Sequence, residues 1–147
     1  MIIGSPGQFD EGASSVSREI RMTEPPRPKI LYIDPDRESF EPYLKMVLDD
    51  SYALTIIEQL EEAEPHLDAD LMILEPYRFL EGGKRQPLET LLDGFRKDGG
   101  KVIVTTTMPQ EFYVNTYGFQ EGRHYDKYWS KSDMAKIVPQ IAELLRT

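Results

Sequence analysis

The sequence predicts an α/β domain: a five-stranded parallel sheet, doubly wound, with five helices. Three observations carry that prediction. From Lys29 onward, short apolar β-rich runs alternate five times with segments of helical period, and there is no internal repeat. Two of the runs, Leu71 to Leu74 and Val102 to Val104, are uninterrupted apolar stretches, as central parallel strands covered on both faces require. Polar residues then gather where the runs stop, at Asp34, Glu75, Thr106 and Lys131. Alternation of this kind argues for right-handed crossovers and helices on both faces. In such sheets the functional site lies at the carboxyl ends of the strands.

Each element has its own justification. Ile30-Leu31-Tyr32-Ile33 is a β-rich run stopped by Asp34-Pro35-Asp36. Phe40, Tyr43, Leu44, Val47 and Leu48 fall at i, i+3, i+4, i+7 and i+8, one face of a helix. Tyr52 to Ile57 forms a second strand, and Glu58 to about Glu64 a short helix ended by Pro65. After the third strand comes a loop running to Gly82-Gly83. Leu88, Leu91, Leu92 and Phe95 mark the next helix, which Gly99-Gly100 stops. Pro109 to Tyr117 is a helix ended by Gly118. Tyr125 to Trp129 is the fifth strand. Lys131 to Leu145 is a last helix, with Met134, Ile137, Val138, Ile141 and Leu145 inward.

Bulk properties narrow the function classes. The 147 residues suit one domain, here 29–147, preceded by a flexible tail over 1–28 of linker composition: Gly4-Ser5-Pro6-Gly7, Gly12 to Ser15, Pro25-Pro26-Arg27-Pro28. Met22 is an equally good translation start. Lysine and arginine number 17 against 26 acids, for a net charge of −9, which disfavours nucleic-acid binding. The chain has no cysteine, so disulfides and thiolate metal sites are out. No apolar run approaches the roughly 20 residues that span a bilayer. The N-terminus lacks a secretory signal. A cytoplasmic protein without membrane contact is the expectation.

These residues resemble a known family, the receiver domain of bacterial two-component response regulators (CheY-like). Ile30 to Asp36 is similar to the first receiver strand, which normally ends in two adjacent acids. Asp70-Leu71-Met72-Ile73-Leu74-Glu75 matches the third strand with its phosphoacceptor, and Gly83 the glycine of the following loop. Val102 to Thr107 matches the fourth strand with its hydroxyl residue at Thr106. Tyr128-Trp129-Ser130-Lys131 resembles the aromatic, two spacers and lysine. The resemblance implies that Lys131 and Thr106 contact a phosphoryl group, that Tyr128 is the switch aromatic, and that Asp34 and Asp36 belong to the pocket.

The departures carry the functional content. Glu75 stands where the phosphoacceptor is normally aspartate, so its carboxylate sits one methylene further out. A misplacement on the order of 1 Å can cost about a hundredfold in rate. Pro35 replaces one of the paired acids, leaving Asp34, helped at most by Asp36, so Mg²⁺ binding is expected to be weak or absent. Phe79 stands in place of the usual loop proline, and Lys84 to Pro87 reads as an insertion. Glu75 would instead reach toward Lys131 and Thr106 without phosphate, a partial mimic carrying one charge where phosphate carries nearly two.

The expected function is therefore a pseudo-receiver in signal transduction. It would act by phosphorylation-independent protein–protein contact through the fourth helix, fifth strand and fifth helix. The chain would have no catalysis of its own, and its partners would be a histidine kinase or a downstream effector, with a homodimer also open. Two alternatives stand beside it. One is a genuine phosphorelay receiver, using Asp34 or Asp36. The other is a flavodoxin-like nucleotide or flavin domain, against which the acidic Asp34-Pro35-Asp36 turn counts, since it would repel a phosphate. Plainer readings attach to single residues. Glu75 and Lys131 would be a structural ion pair, Thr105 to Thr107 ordinary strand formers, Trp129 a core or edge aromatic, His66 and His124 surface residues, and Glu61-Glu62 a solvated helix face.

Overall fold

The computed structural model describes residues 26–146. Most of the expected tail lies outside them. Of its described part, the Arg27 guanidinium donates to the Asp50 carbonyl at 3.2 Å, and the Pro28 carbonyl accepts from the Ala53 N–H at 2.9 Å.

Five strands, β1 (Lys29–Ile33), β2 (Ala53–Ile57), β3 (Leu71–Leu74), β4 (Lys101–Thr106) and β5 (Lys127–Ser130), form one parallel sheet in the order β2-β1-β3-β4-β5. Side chains alternate between its faces because the strand period is two. Leu31, Ile33, Met72, Leu74, Val102 and Val104 enter one core, whereas Ile30, Tyr32, Leu71, Ile73 and Ile103 enter the other. The first core is covered by α2 (Tyr77–Glu81), α3 (Arg85–Lys97), α4 (Gln110–Tyr117) and the turns before β3. The second is covered by α1 (Glu41–Leu48) and α5 (Ile137–Arg146). The sheet is thus doubly wound, as the alternation predicts.

The differences are local and each has a cause. The helix expected over Glu58 to Glu64 is two single 3-10 turns, Leu60–Glu62 and Glu64–His66. Pro65 does not end it; it sits inside the second turn, at a position that needs no intrahelical N–H. The loop after β3 contains a short helix, α2, with Phe79 and Leu80 buried against the first core. The apparent insertion at Lys84 to Pro87 is instead the N-cap and first turn of α3, where proline is tolerated.

The last helix begins late. Its expected first turns are a 3-10 stretch, Lys131–Lys136, distorted at Asp133, whose carbonyl accepts from the Trp129 indole at 2.8 Å. Gly118 ends α4 with φ at 64°, a left-handed conformation that favours glycine.

Candidate functional site

The chain runs from β1 out to β2 on one side, then crosses to β3, β4 and β5 on the other. That reversal leaves a crevice at the carboxyl ends of β1 and β3. Asp34 follows β1, Glu75 follows β3, Thr106 ends β4, and Lys131 follows β5. Their side chains meet there, out of water.

Lys131 is the centre of the cluster. Its side chain is 5% exposed, and its ammonium lies 2.9 Å from Asp34 Oδ2 and 3.0 Å from Glu75 Oε1. It also stands 4.6 Å from the centroid of the Phe40 ring, a favourable cation–π position. Asp34 is fully buried and accepts three hydrogen bonds in all: Oδ2 also accepts from the Tyr32 hydroxyl at 2.5 Å, and Oδ1 from the Asp36 N–H at 2.8 Å. Glu75 Oε2 accepts from the Tyr77 N–H at 3.2 Å and from the Tyr113 hydroxyl at 3.4 Å. Tyr113 in turn meets the Thr106 hydroxyl at 2.7 Å, and Thr106 accepts from the Met108 N–H at 3.2 Å.

Electrostatics follow from this burial. Burial pushes the Glu75 carboxyl above its ordinary range, against the pull of the Lys131 ammonium and the Tyr77 N–H. Burial likewise raises both phenols, with the neighbouring carboxylates adding to it, so Tyr32 and Tyr113 are permanent donors at neutral pH.

Asp34, Glu75, Thr106 and Lys131 are brought together. Asp36 is not: its side chain turns outward to the Arg78 guanidinium at 3.1 Å and is half exposed. The expectation that it shares the pocket is corrected by that ion pair. Thr106 is linked to Glu75 through Tyr113, and its hydroxyl also helps hold the Glu75 carboxylate. Tyr128 is half-buried, and its hydroxyl donates to the Met108 carbonyl. Among the described residues, no three His, Cys, Asp or Glu side chains are placed to hold a metal ion.

Sequence reasoning missed Tyr113, Tyr32 and Phe40 as members of the cluster. It also placed His124 at the surface, whereas the ring is 2% exposed and stacks on Phe119 at 4.9 Å. The cause is a tight turn at Gly122, with φ at 89°, which folds the chain back so that His124 Nδ1 accepts from the Gln120 N–H at 3.0 Å.

No family model matches the sequence, and no curated protein matches it significantly. Solved structures do match. A response regulator from Thermotoga maritima aligns with TM-score 0.64 at 14% identity, over 83% of this chain and 100% of its own. A two-component response regulator from Clostridium difficile gives 0.61 at 21%, over 82% and 97%. A response regulator receiver modulated diguanylate cyclase from Pelobacter carbinolicus gives 0.53 at 24%, over 81% and 92%. These likenesses establish the fold: the chain has the doubly wound architecture of the response-regulator receiver domains.

Proposed function

We propose that the protein is a receiver-like signalling domain that works by protein–protein contact and does not depend on phosphorylation. One observation carries this reading: the Lys131 ammonium is already neutralised, out of water, by Glu75 and Asp34. An incoming phosphoryl group would have to displace a buried carboxylate from the Lys131 ammonium. Glu75 is also a poor acceptor, held by Lys131, the Tyr77 N–H and Tyr113 rather than poised toward solvent.

Mg²⁺ binding is weak in this reading. Asp34 is already engaged by Lys131, Tyr32 and the Asp36 N–H, and the Asp36 side chain turns to Arg78, so the tight octahedral oxygen set that Mg²⁺ demands is not assembled. The domain has no catalysis of its own. Its output is the face made by α4, β5 and α5, reached from the pocket through Tyr113 on α4 and Tyr128 on β5. The partner is a histidine kinase, a downstream effector, or a second copy of the chain.

The test is an amide NMR spectrum with and without Mg²⁺ and beryllofluoride. Resonances of Thr106 and Lys131 are expected to stay in place in a well-dispersed spectrum. Large shifts centred on those two residues would return the domain to the phosphorylated class.

A further inference from the structure

A groove of about 650 Å³ lies between α3 and the 3-10 turns that precede β3. Leu60, Leu67, Leu91 and Phe95 give it apolar walls, and Glu64 and Asp98 stand at its rim. A third acid, Glu61, is paired with Lys84 at 3.1 Å, but Glu64 and Asp98 have no ion-pair partner among the described residues. No basic residue lines the groove. The surface therefore suits a ligand that offers apolar side chains flanked by positive charge.

Gly94 supplies an independent sign of an occupant. It lies inside α3, lines the groove, and has open space where a Cβ would stand. Nothing in the described packing requires a glycine there, although glycine weakens a helix interior relative to alanine. The missing side chain keeps the groove open.

The groove also connects to the start of the described chain. A neighbouring cavity shares Leu67, Phe95 and Asp98 with it, and shares Asp68, Asp70 and Leu145 with a third that reaches Pro26. The trough so formed leads from Pro26 to the groove. Directly upstream in the sequence stands Val16-Ser17-Arg18-Glu19-Ile20-Arg21-Met22, with three apolar and two basic side chains.

We propose that the groove binds this segment of the same chain, Val16 to Met22. Apolar contact with Leu67, Leu91 and Phe95 would supply the affinity. Pairing of Arg18 and Arg21 with Glu64 and Asp98 would fix the orientation, since exposed ion pairs contribute more to steering than to strength. The ten residues from 16 to 25 reach at most about 35 Å when extended, enough to follow the trough. The groove lies away from the Glu75–Lys131 pocket, so this inference does not rest on the function proposed above. Its consequence is a face on α3 that another protein reaches only by displacing the chain's own segment.

The absence of cysteine makes the test direct. Ser17→Cys in the full chain carries a nitroxide, and relaxation of the amide signals is recorded. Thr90, Leu91 and Gly94 are expected to lose signal, and to regain it in Gly94→Leu, a better helix former that fills the open space and so keeps the fold. Glu64→Lys with Asp98→Lys should also restore the signal, and Arg18→Glu with Arg21→Glu in that background should remove it again. Groove signals unaffected by the nitroxide would overturn the proposal. So would loss that appears equally when labelled chains are mixed with isotope-enriched unlabelled ones, because a second copy would then be the occupant.

Discussion

An ammonium held 2.9 Å from Asp34 and 3.0 Å from Glu75 faces two carboxylates with a single positive charge. Removing it leaves buried charge uncompensated, which is far costlier than the pair is stabilising. Lys131→Met keeps the aliphatic stem and is expected to lower stability by about 3–5 kcal/mol at neutral pH, read from urea unfolding. The surplus carboxylate also sets a pH dependence. Because burial raises Glu75 above its ordinary value of 4.5, the folded state holds a proton there that the unfolded chain has already released. Stability from this group is therefore full below pH 4.5 and is lost as pH rises through the folded value. Glu75→Gln is expected to flatten that part of the stability–pH curve; an unchanged slope in urea titrations above pH 4.5 would contradict the assignment. Which residues were legible follows from their chemistry. Asp34, Glu75 and Lys131 stood out because charge at the end of an apolar strand is costly unless paired. Tyr32 and Tyr113 did not, because a tyrosine at strand or helix spacing looks the same whether its hydroxyl meets a carboxylate or water.

At the scale of the element, α3 shows how local preference and function part company. Its apolar stripe of Leu88, Leu92 and Phe95 fixes it on the sheet, and the helix was readable from that period alone. Its start was not, because Lys84 to Pro87 looked like added loop until the first turn absorbed the proline. Gly94 is the residue that helix propensity argues against. Gly94→Ala is expected to raise stability by about 0.5–1 kcal/mol, measured by thermal or urea unfolding, since the added methyl meets open space. The short turns before β3 were unreadable for the opposite reason. Six residues split between two 3-10 turns bury only Leu60 within them, with Ala63 at the junction, too few positions to reveal a period. Where the elements are long and periodic the sequence is explicit; where they are single turns, tertiary packing decides.

At the scale of the molecule, the sheet divides the protein into two cores and two ends. Both cores are visible in the strand alternation, because residues i and i+2 share a face. The strand order β2-β1-β3-β4-β5 was not legible in any one residue; the alternation and the right-handedness of crossovers reach only as far as a parallel sheet with helices on both faces. The ends differ in character. At the carboxyl ends of β1 and β3 one ammonium and two carboxylates are buried together, whereas the trough that runs from the groove to the amino end of β1 carries exposed acids beside apolar surface.

The pairing of Asp34 with Lys131 joins positions 97 residues apart in sequence. During synthesis the first acid leaves the ribosome long before its cation exists. At about 5–20 residues per second, the interval is on the order of 5–20 seconds. Through that time Asp34, joined by Glu75 once β3 has been made, has no Lys131 to pair with, and the nascent chain cannot close its crevice. The site is thus a late reporter: the pocket closes only after Lys131 has been made, so a partner that senses the closed pocket would sense only chains that have reached that point.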